Sequence, residues 1–239
     1  LAFFQNKAYC KNAERVPINP DLYEGGRKYE FEKIVGFSCF PRNAKIIELG
    51  SGYGKYVLPL LYKGYEVTAV DIGEKLLNAI RKAARKHKLD KRLKTIRSDF
   101  RRSSVVNKYD VALCISTFHL LAETQGERSR IFTNLVKSVK PGGSIVVVEP
   151  NPLNPFLYIL YLFTHLAPWE IEKWFIKSTV WNLRKLFKNC GLSDITVSYI
   201  GFLPLRYIGF PGVALINAVM NKIPVLHMFS SFIYIKGRK

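Results

Sequence analysis

The feature that most constrains this 239-residue chain is an alternation of element types. Apolar runs of strand length lie at Ala44 to Leu49, Tyr65 to Val70, Leu93 to Ser98, Tyr109 to Ile115 and Ser144 to Glu149. Between them fall segments of helical spacing, Lys55 to Leu61, Glu74 to Lys88 and Glu127 to Val139, the last stopped by Pro141-Gly142-Gly143. Strands joined by helices of this length predict a mostly parallel sheet covered on both faces, an α/β, doubly wound arrangement. After Glu149 the spacing of Val180, Leu183, Leu186, Phe187 and Cys190 predicts one more helix, ended by Gly191. The runs 195–202 and 230–237 add two strands, for seven in all.

The first strand runs into an acid and then a glycine turn: Glu48-Leu49-Gly50-Ser51-Gly52-Tyr53-Gly54. Glycines at the end of a buried strand let a ligand reach the backbone where a side chain would block it. In an open parallel sheet that turn is the usual cradle for a ligand. A nicotinamide dinucleotide calls for G-x-G-x-x-G, and here the third glycine comes one residue early. Glu48 also opposes a pyrophosphate by charge, whereas it favours a cation. S-adenosylmethionine carries a sulfonium and an ammonium.

From these residues onward the chain resembles the class I S-adenosylmethionine-dependent methyltransferases. Their first motif is matched by residues 48–54, and the resemblance continues in order through VTAVDI, RSDF, YDVALCISTFHLL, VKPGG and EPN. It implies a Rossmann-like methyltransferase fold and assigns the cofactor loop to Glu48, Gly50, Ser51, Gly52 and Gly54. It implies that Asp71, with Ile72 beside it, binds the ribose hydroxyls and that Asp99 and Phe100 meet the adenine. Ile115 and Ser116 stand at the cofactor edge. The stretch NPDLYEGGRKYEFEKI resembles the lid and leading helix of such enzymes, which places Tyr23 and Arg27 over the methionine end. On this reading residues 1–43 are lid and leading helix, and residues 44–239 are the S-adenosylmethionine-binding domain. Each acid also has a structural reading: Glu48 on a backbone amide, Asp71 as a helix cap, Asp99 in a turn. Two departures stand out: Gly73 where a Ser or Thr cap is common, and Pro59 in the helix after the loop.

The sulfonium is an activated methyl donor, so holding a nucleophile in line for displacement supplies much of the catalysis. A hydroxyl acceptor additionally wants a base. His119, just after the fourth strand, and Glu149, at the end of the fifth, are the candidates, and each also has a structural alternative.

Two apolar segments, within about 151–176 and about 204–229, occupy the places where this family builds substrate caps. Prolines bound the first, and Pro211, Asn217, Asn221, Lys222 and Pro224 interrupt the second, so neither reads as a bilayer span of about 20 apolar residues. They suit a substrate cap or membrane-facing surface, or alternatively a core or homodimer contact.

The formal charge of +19 suits an anionic surface, or simply a lysine-rich proteome. Its densest stretch, Arg81 to Lys108, holds twelve Lys and Arg and only Phe100 as an aromatic, which suits a solvated helix face better than RNA stacking. Ile115-Ser116-Thr117-Phe118 also lacks the Asn/Asp-Pro-Pro-aromatic motif of nucleic-acid amine methyltransferases. The expectation is methyl transfer to a small apolar or lipid-linked acceptor. The alternatives are an RNA or protein methyltransferase and a non-catalytic cofactor-binding partner module. Four scattered cysteines without CxxC spacing read as reduced thiols, with no metal site, in a cytoplasmic protein, with a location peripheral to the membrane as the alternative. The N-terminal residues lack the basic start and apolar core of a secretion signal.

Overall fold

The computed structural model describes residues 18–102, 106–121, 124–163, 169, 173–203, 211–220 and 222–239. Cys10, His165 and parts of both apolar inserts lie outside them. The elements are α1 Gly25–Ser38, β1 Lys45–Leu49, α2 Val57–Tyr62, β2 Glu66–Asp71, α3 Glu74–Lys86, β3 Leu93–Arg97 and β4 Tyr109–Ile115. There follow α4 Gln125–Ser138, β5 Val139–Pro150, α5 Pro155–Phe163, α6 Val180–Asn189, β6 Ser193–Ile200, α7 Pro211–Met220 and β7 Phe232–Arg238.

The seven strands form one sheet in the order β3-β2-β1-β4-β5-β7-β6. Strands β1 to β5 pair in parallel, and β7 is inserted antiparallel between β5 and β6. This is the doubly wound, mostly parallel sheet that the alternation predicts. Successive side chains point to opposite faces, so β1 divides its residues between two cores. Ile46 joins Phe31, Ile34, Leu58, Leu77, Val146 and Tyr234 on one face. Ile47 and Leu49 join Phe132, Val147, Leu183 and Phe187 on the other. Helix α1 thus shares a core with the sheet.

Two sequence details resolve simply. Pro59 falls in the first turn of α2, where its missing N–H is one that no helical carbonyl would accept. Gly73 caps α3 without a side-chain bond. One expectation is shifted: β5 begins at Val139 rather than Ser144, directly where α4 ends. Val139 pairs with Tyr109, but the register then jumps to Ser144 opposite Val111, so Pro141-Gly142-Gly143 sits in an irregularity inside the strand.

The carboxyl ends of the five parallel strands define one edge of the sheet. Pairing of Phe232 with both Pro150 and Ile200 brings the end of β6 and the start of β7 to that same edge. Both apolar inserts therefore leave the sheet where a ligand is expected.

Candidate cofactor and active site

The turn after β1 takes left-handed backbone at Gly50 (φ 71°), Gly52 (φ 51°) and Gly54 (φ 88°). At Gly50 the constraint is also one of space, since a Cβ there would lie 2.0 Å from Thr117 Cγ2. Asp71, at the end of β2, ties this loop to its own: Oδ2 accepts from Gly52 N at 3.0 Å and Oδ1 from Gly73 N at 2.8 Å. Burial raises the Asp71 carboxyl above its ordinary value, more than those N–H bonds lower it. Each oxygen keeps acceptor capacity for a further hydroxyl.

A cavity of about 360 Å³ opens beside this turn. Of the expected cofactor residues, Gly50, Gly52, Asp71, Ile72, Asp99, Phe100 and Ser116 line it. Ser116 holds φ 48°, uncommon for a residue with a side chain, and its N–H is fixed on Val148 O at 2.7 Å. Thr117, not singled out by the sequence, also lines the cavity and bridges its two walls, its single hydroxyl proton within reach of both Ile115 O (2.9 Å) and Gly50 O (3.2 Å). Arg101 is a second wall residue that the motifs miss. Its Nε and Nη2 hold Asp99 at 2.6–2.9 Å while Nη1 reaches Glu127 at 2.7 Å. The Thr117–Gly50 and Arg101–Glu127 contacts carry no local signal, because each joins residues brought together by the fold.

Ile115, Ser51 and Gly54 are buried or packed behind the wall: Ser51 hydroxyl points at Val70 O (3.4 Å), and a Cβ on Gly54 would meet Ile80 at 3.0 Å. Glu48 shares the face of Ile46, opposite Leu49, and so is not among the lining residues. It is 2% exposed, and its Oε2 has no hydrogen-bond partner among the described residues. Burial, then the Asp71 charge, pushes its carboxyl up to about 8, against the pull of Lys55. Lys55 is committed elsewhere: its ammonium pairs with Glu30 of α1 at 2.6 Å, and Tyr56 hydroxyl donates to the other Glu30 oxygen at 2.5 Å. This three-residue tie fastens α1 to the loop and was also invisible in the motifs. Tyr23 and Arg27 belong to the α1 side, with Arg27 5.5 Å over the Tyr23 ring. The Tyr23 hydroxyl is buried without a partner among the described residues, and burial pushes it up to about 12. Neither residue lines the cavity.

His119 and Glu149 are brought together, but behind the wall. Glu149 Oε1 accepts from Phe118 N at 3.0 Å, and Oε2 accepts from His119 N and Ser178 hydroxyl, both at 3.0 Å. His119 Nδ1 lies 2.8 Å from the same Oε2. Arg128 donates to Ser178 at 2.8 Å and stands over the Phe118 ring. Burial alone would raise the Glu149 carboxyl, but His119, Arg128 and Ser178 outweigh it and hold it below its ordinary value. His119 is 1% exposed, one residue from Leu120 on the cavity wall.

The residues present fit S-adenosylmethionine. Asp71 and Asp99 offer acceptors in the cavity, the backbone of Gly50 and Gly52 is exposed to it, and Glu48 beside the turn is a buried acid whose Oε2 lacks a partner among the described residues.

Residues 46–143 match the model of a methyltransferase domain family. They span the glycine turn, Asp71, Asp99 and the β4 end just described. Over these residues, less than half of the chain, the protein is similar to a methyltransferase domain. A ubiquinone biosynthesis O-methyltransferase of Rickettsia akari is 27% identical over 135 residues, which cover 56% of this chain and 50% of that protein. An S-adenosyl-L-methionine-dependent Diels-Alderase of Talaromyces variabilis is 29% identical over 136 residues, 56% of this chain and 44% of its own. The chain thus spans about half the length of these relatives. Among solved structures, phosphoethanolamine N-methyltransferase 2 of Haemonchus contortus in complex with S-adenosyl-L-methionine superposes with a TM-score of 0.64 at 14% identity. That match covers 88% of this chain and 52% of the other, and it shows the fold. The matched segment thus holds the ends of β1 to β4 that wall the cavity, and the C-terminal part beyond residue 143 is one that the family model does not reach.

Proposed function

We propose that the protein transfers a methyl group to a small apolar or lipid-linked acceptor. The observation that carries this reading is the exit of both apolar inserts at the sheet edge that holds the cofactor cavity. Phe156 of the first insert packs on Phe202, at the entry to the second, with ring centroids 5.5 Å apart. Asn154 ties the same segments together by donating to Phe202 O (2.7 Å) and Phe229 O (2.6 Å). A greasy acceptor finds apolar walls there. The relative named for ubiquinone biosynthesis supports an acceptor of quinone-precursor type.

Bound in the cavity, S-adenosylmethionine supplies the activated methyl group. The chain's own part is to hold and orient. Asp71 and Asp99 offer acceptors to the nucleoside end, and Glu48 offers a carboxylate to a cation. If the acceptor is a hydroxyl, His119 is the candidate base, since both Glu149 oxygens are taken by donors. A carboxylate on Nδ1 fixes the ring's orientation and tautomer. His119→Ala with an unchanged pH–rate profile would remove this assignment.

A second reading has a specific observation behind it: one relative is named for a Diels-Alder reaction, so this kind of chain also serves chemistry other than methyl transfer. Labelled methyl from S-adenosylmethionine separates the readings. The proposal expects label in a solvent-extractable lipid fraction. Label in a nuclease-sensitive or protein fraction would favour a polymer acceptor, and cofactor binding without any transfer would favour the non-methylating reading.

A further inference from the structure

Helix α7 is built inside out. Its polar residue Asn217 is buried, with Oδ1 accepting from Leu203 N at 2.7 Å and Nδ2 facing Leu203 O at 3.4 Å. Its apolar residues Leu215 (65% exposed), Ile216 and Val219 face out. A helix on a water-soluble surface shows the reverse pattern. The face continues on both sides. Val225, in the turn after α7, is 71% exposed. Phe202, next to Leu203, packs on the exposed Phe156 of α5, and Ile159 stands exposed one turn further on.

We propose that this face lies on an anionic lipid bilayer, delivering the mouth of the cofactor cavity to a lipid-borne acceptor. The inference rests on the methyltransferase reading above and adds where the acceptor comes from. Three observations select a bilayer as the occupant. First, the rim is cationic and aromatic. Lys222 is exposed just past α7, and the Lys173 and Lys177 ammoniums stand 5.7 and 4.2 Å from the Trp174 ring centroid. The turn carrying them packs on α5, with Phe175 5.3 Å from Tyr158. Trp and Lys at a rim suit the headgroup layer, with aliphatic residues below it. Second, the sequence from Pro150 to Lys239 has ten Lys and Arg against three acids. A second copy of this chain would bring the same cations to the same rim, where like charges repel, and an RNA offers no apolar surface for Leu215 and Val219. Third, α7 has ten residues, about 15 Å of helix. Among the described residues no helix is long and apolar enough to cross a membrane, so α7 lies along the surface rather than through it.

The test is co-sedimentation with vesicles of phosphatidylglycerol and phosphatidylcholine (3:7) and of phosphatidylcholine alone, using wild type and the double variant Leu215→Glu/Val219→Glu. Binding of S-adenosylmethionine is measured on the same samples. Wild type should favour the anionic vesicles at least tenfold, with binding weakened by salt, and the variant should lose at least tenfold while holding the cofactor as wild type does. Equal retention of variant and wild type overturns the proposal, as does no retention of wild type. So does a solution dimer that the variant dissociates, which would make the face a contact between copies. Vesicle binding without cofactor binding would instead defeat the methyltransferase reading and leave the lipid surface standing.

Discussion

Two buried carboxylates at the carboxyl ends of neighbouring regions of the sheet, Glu48 on β1 and Glu149 on β5, have opposite surroundings. Glu149 receives two backbone N–H groups, a serine hydroxyl and the His119 ring, and its carboxyl is held below the ordinary value. Glu48 has an oxygen with no partner among the described residues, and burial pushes it up to about 8. A buried acid that the protein satisfies is architecture: it fixes the turn 117–119 against Ser178 and Arg128. A buried acid left unsatisfied costs stability unless something else fills the role, and this one sits at the ligand turn. The difference separates a part of the edge whose buried acid is satisfied within the fold from a part whose buried acid is not, among the described residues.

The largest effect should come from the satisfied site. Glu149→Ala strands His119 and Arg128 inside the protein. Breaking such a buried network costs about 3–5 kcal/mol, or about 10 °C or more in Tm for a chain of this size. Thermal unfolding reads it directly. The sign with pH follows from the lowered carboxyl: its stabilisation is present above the unfolded value of 4.5 and is lost as pH falls through the lower folded value. A Tm within 2 °C of wild type at neutral pH would break the contrast from this side.

Asp71→Ala comes next. It removes the acceptor for Gly52 N and Gly73 N as well as the cavity's best-placed carboxylate. Charge-assisted bonds of this kind are worth about 1.5–3 kcal/mol, so cofactor affinity should fall by about tenfold or more in calorimetry. Unchanged affinity would place the ribose elsewhere.

Glu48→Gln sharpens the comparison, because stability and binding should move in opposite directions. The folded carboxyl lies at about 8 and the unfolded one at 4.5, so the penalty of ionising it in the folded state grows as pH rises between them. The Gln variant should therefore raise the Tm of the ligand-free protein at pH 8, by roughly 2–4 °C per kcal/mol recovered, and by less at pH 5. It should also weaken cofactor binding. A variant less stable at pH 8 than wild type would mean that Glu48 has a partner within the fold.

The smallest effect should be that of Arg101→Ala. Its bridge to Asp99 is exposed, and pairs of that kind contribute little after screening. Tm should stay within about 3 °C, and a larger drop would make the Asp99 side of the cavity part of the architecture as well.

The sheet was legible because apolar runs of strand length alternate with helical spacing, and that pattern is local. The boundary at Val139 was not, because Pro-Gly-Gly reads as a stop until the register jump between Tyr109 and Val111 shows it accommodated within a strand. In the site, Asp71 and the glycine turn could be read because their spacing within strand-turn-helix units fixes their places. Thr117 on Gly50, Glu30 on Lys55 and Tyr56, and Glu149 on Ser178 could not, since each joins elements far apart in the chain. The sequence pattern placed Glu48 at the loop but not on the face of the sheet opposite the cavity wall. It also pointed to apolar inserts without revealing that Asn217 faces inward and Leu215 outward.

Isothermal titration with S-adenosylmethionine at pH 6 and pH 8.5, in buffers of different ionisation enthalpy, tests the core of the account. A cation settling near Glu48 lowers its carboxyl, so binding should release protons and tighten as pH rises toward about 8, and Glu48→Gln should abolish both effects. Saturable binding with no proton release and no change across that interval, or heat with NAD but none with S-adenosylmethionine, would contradict it.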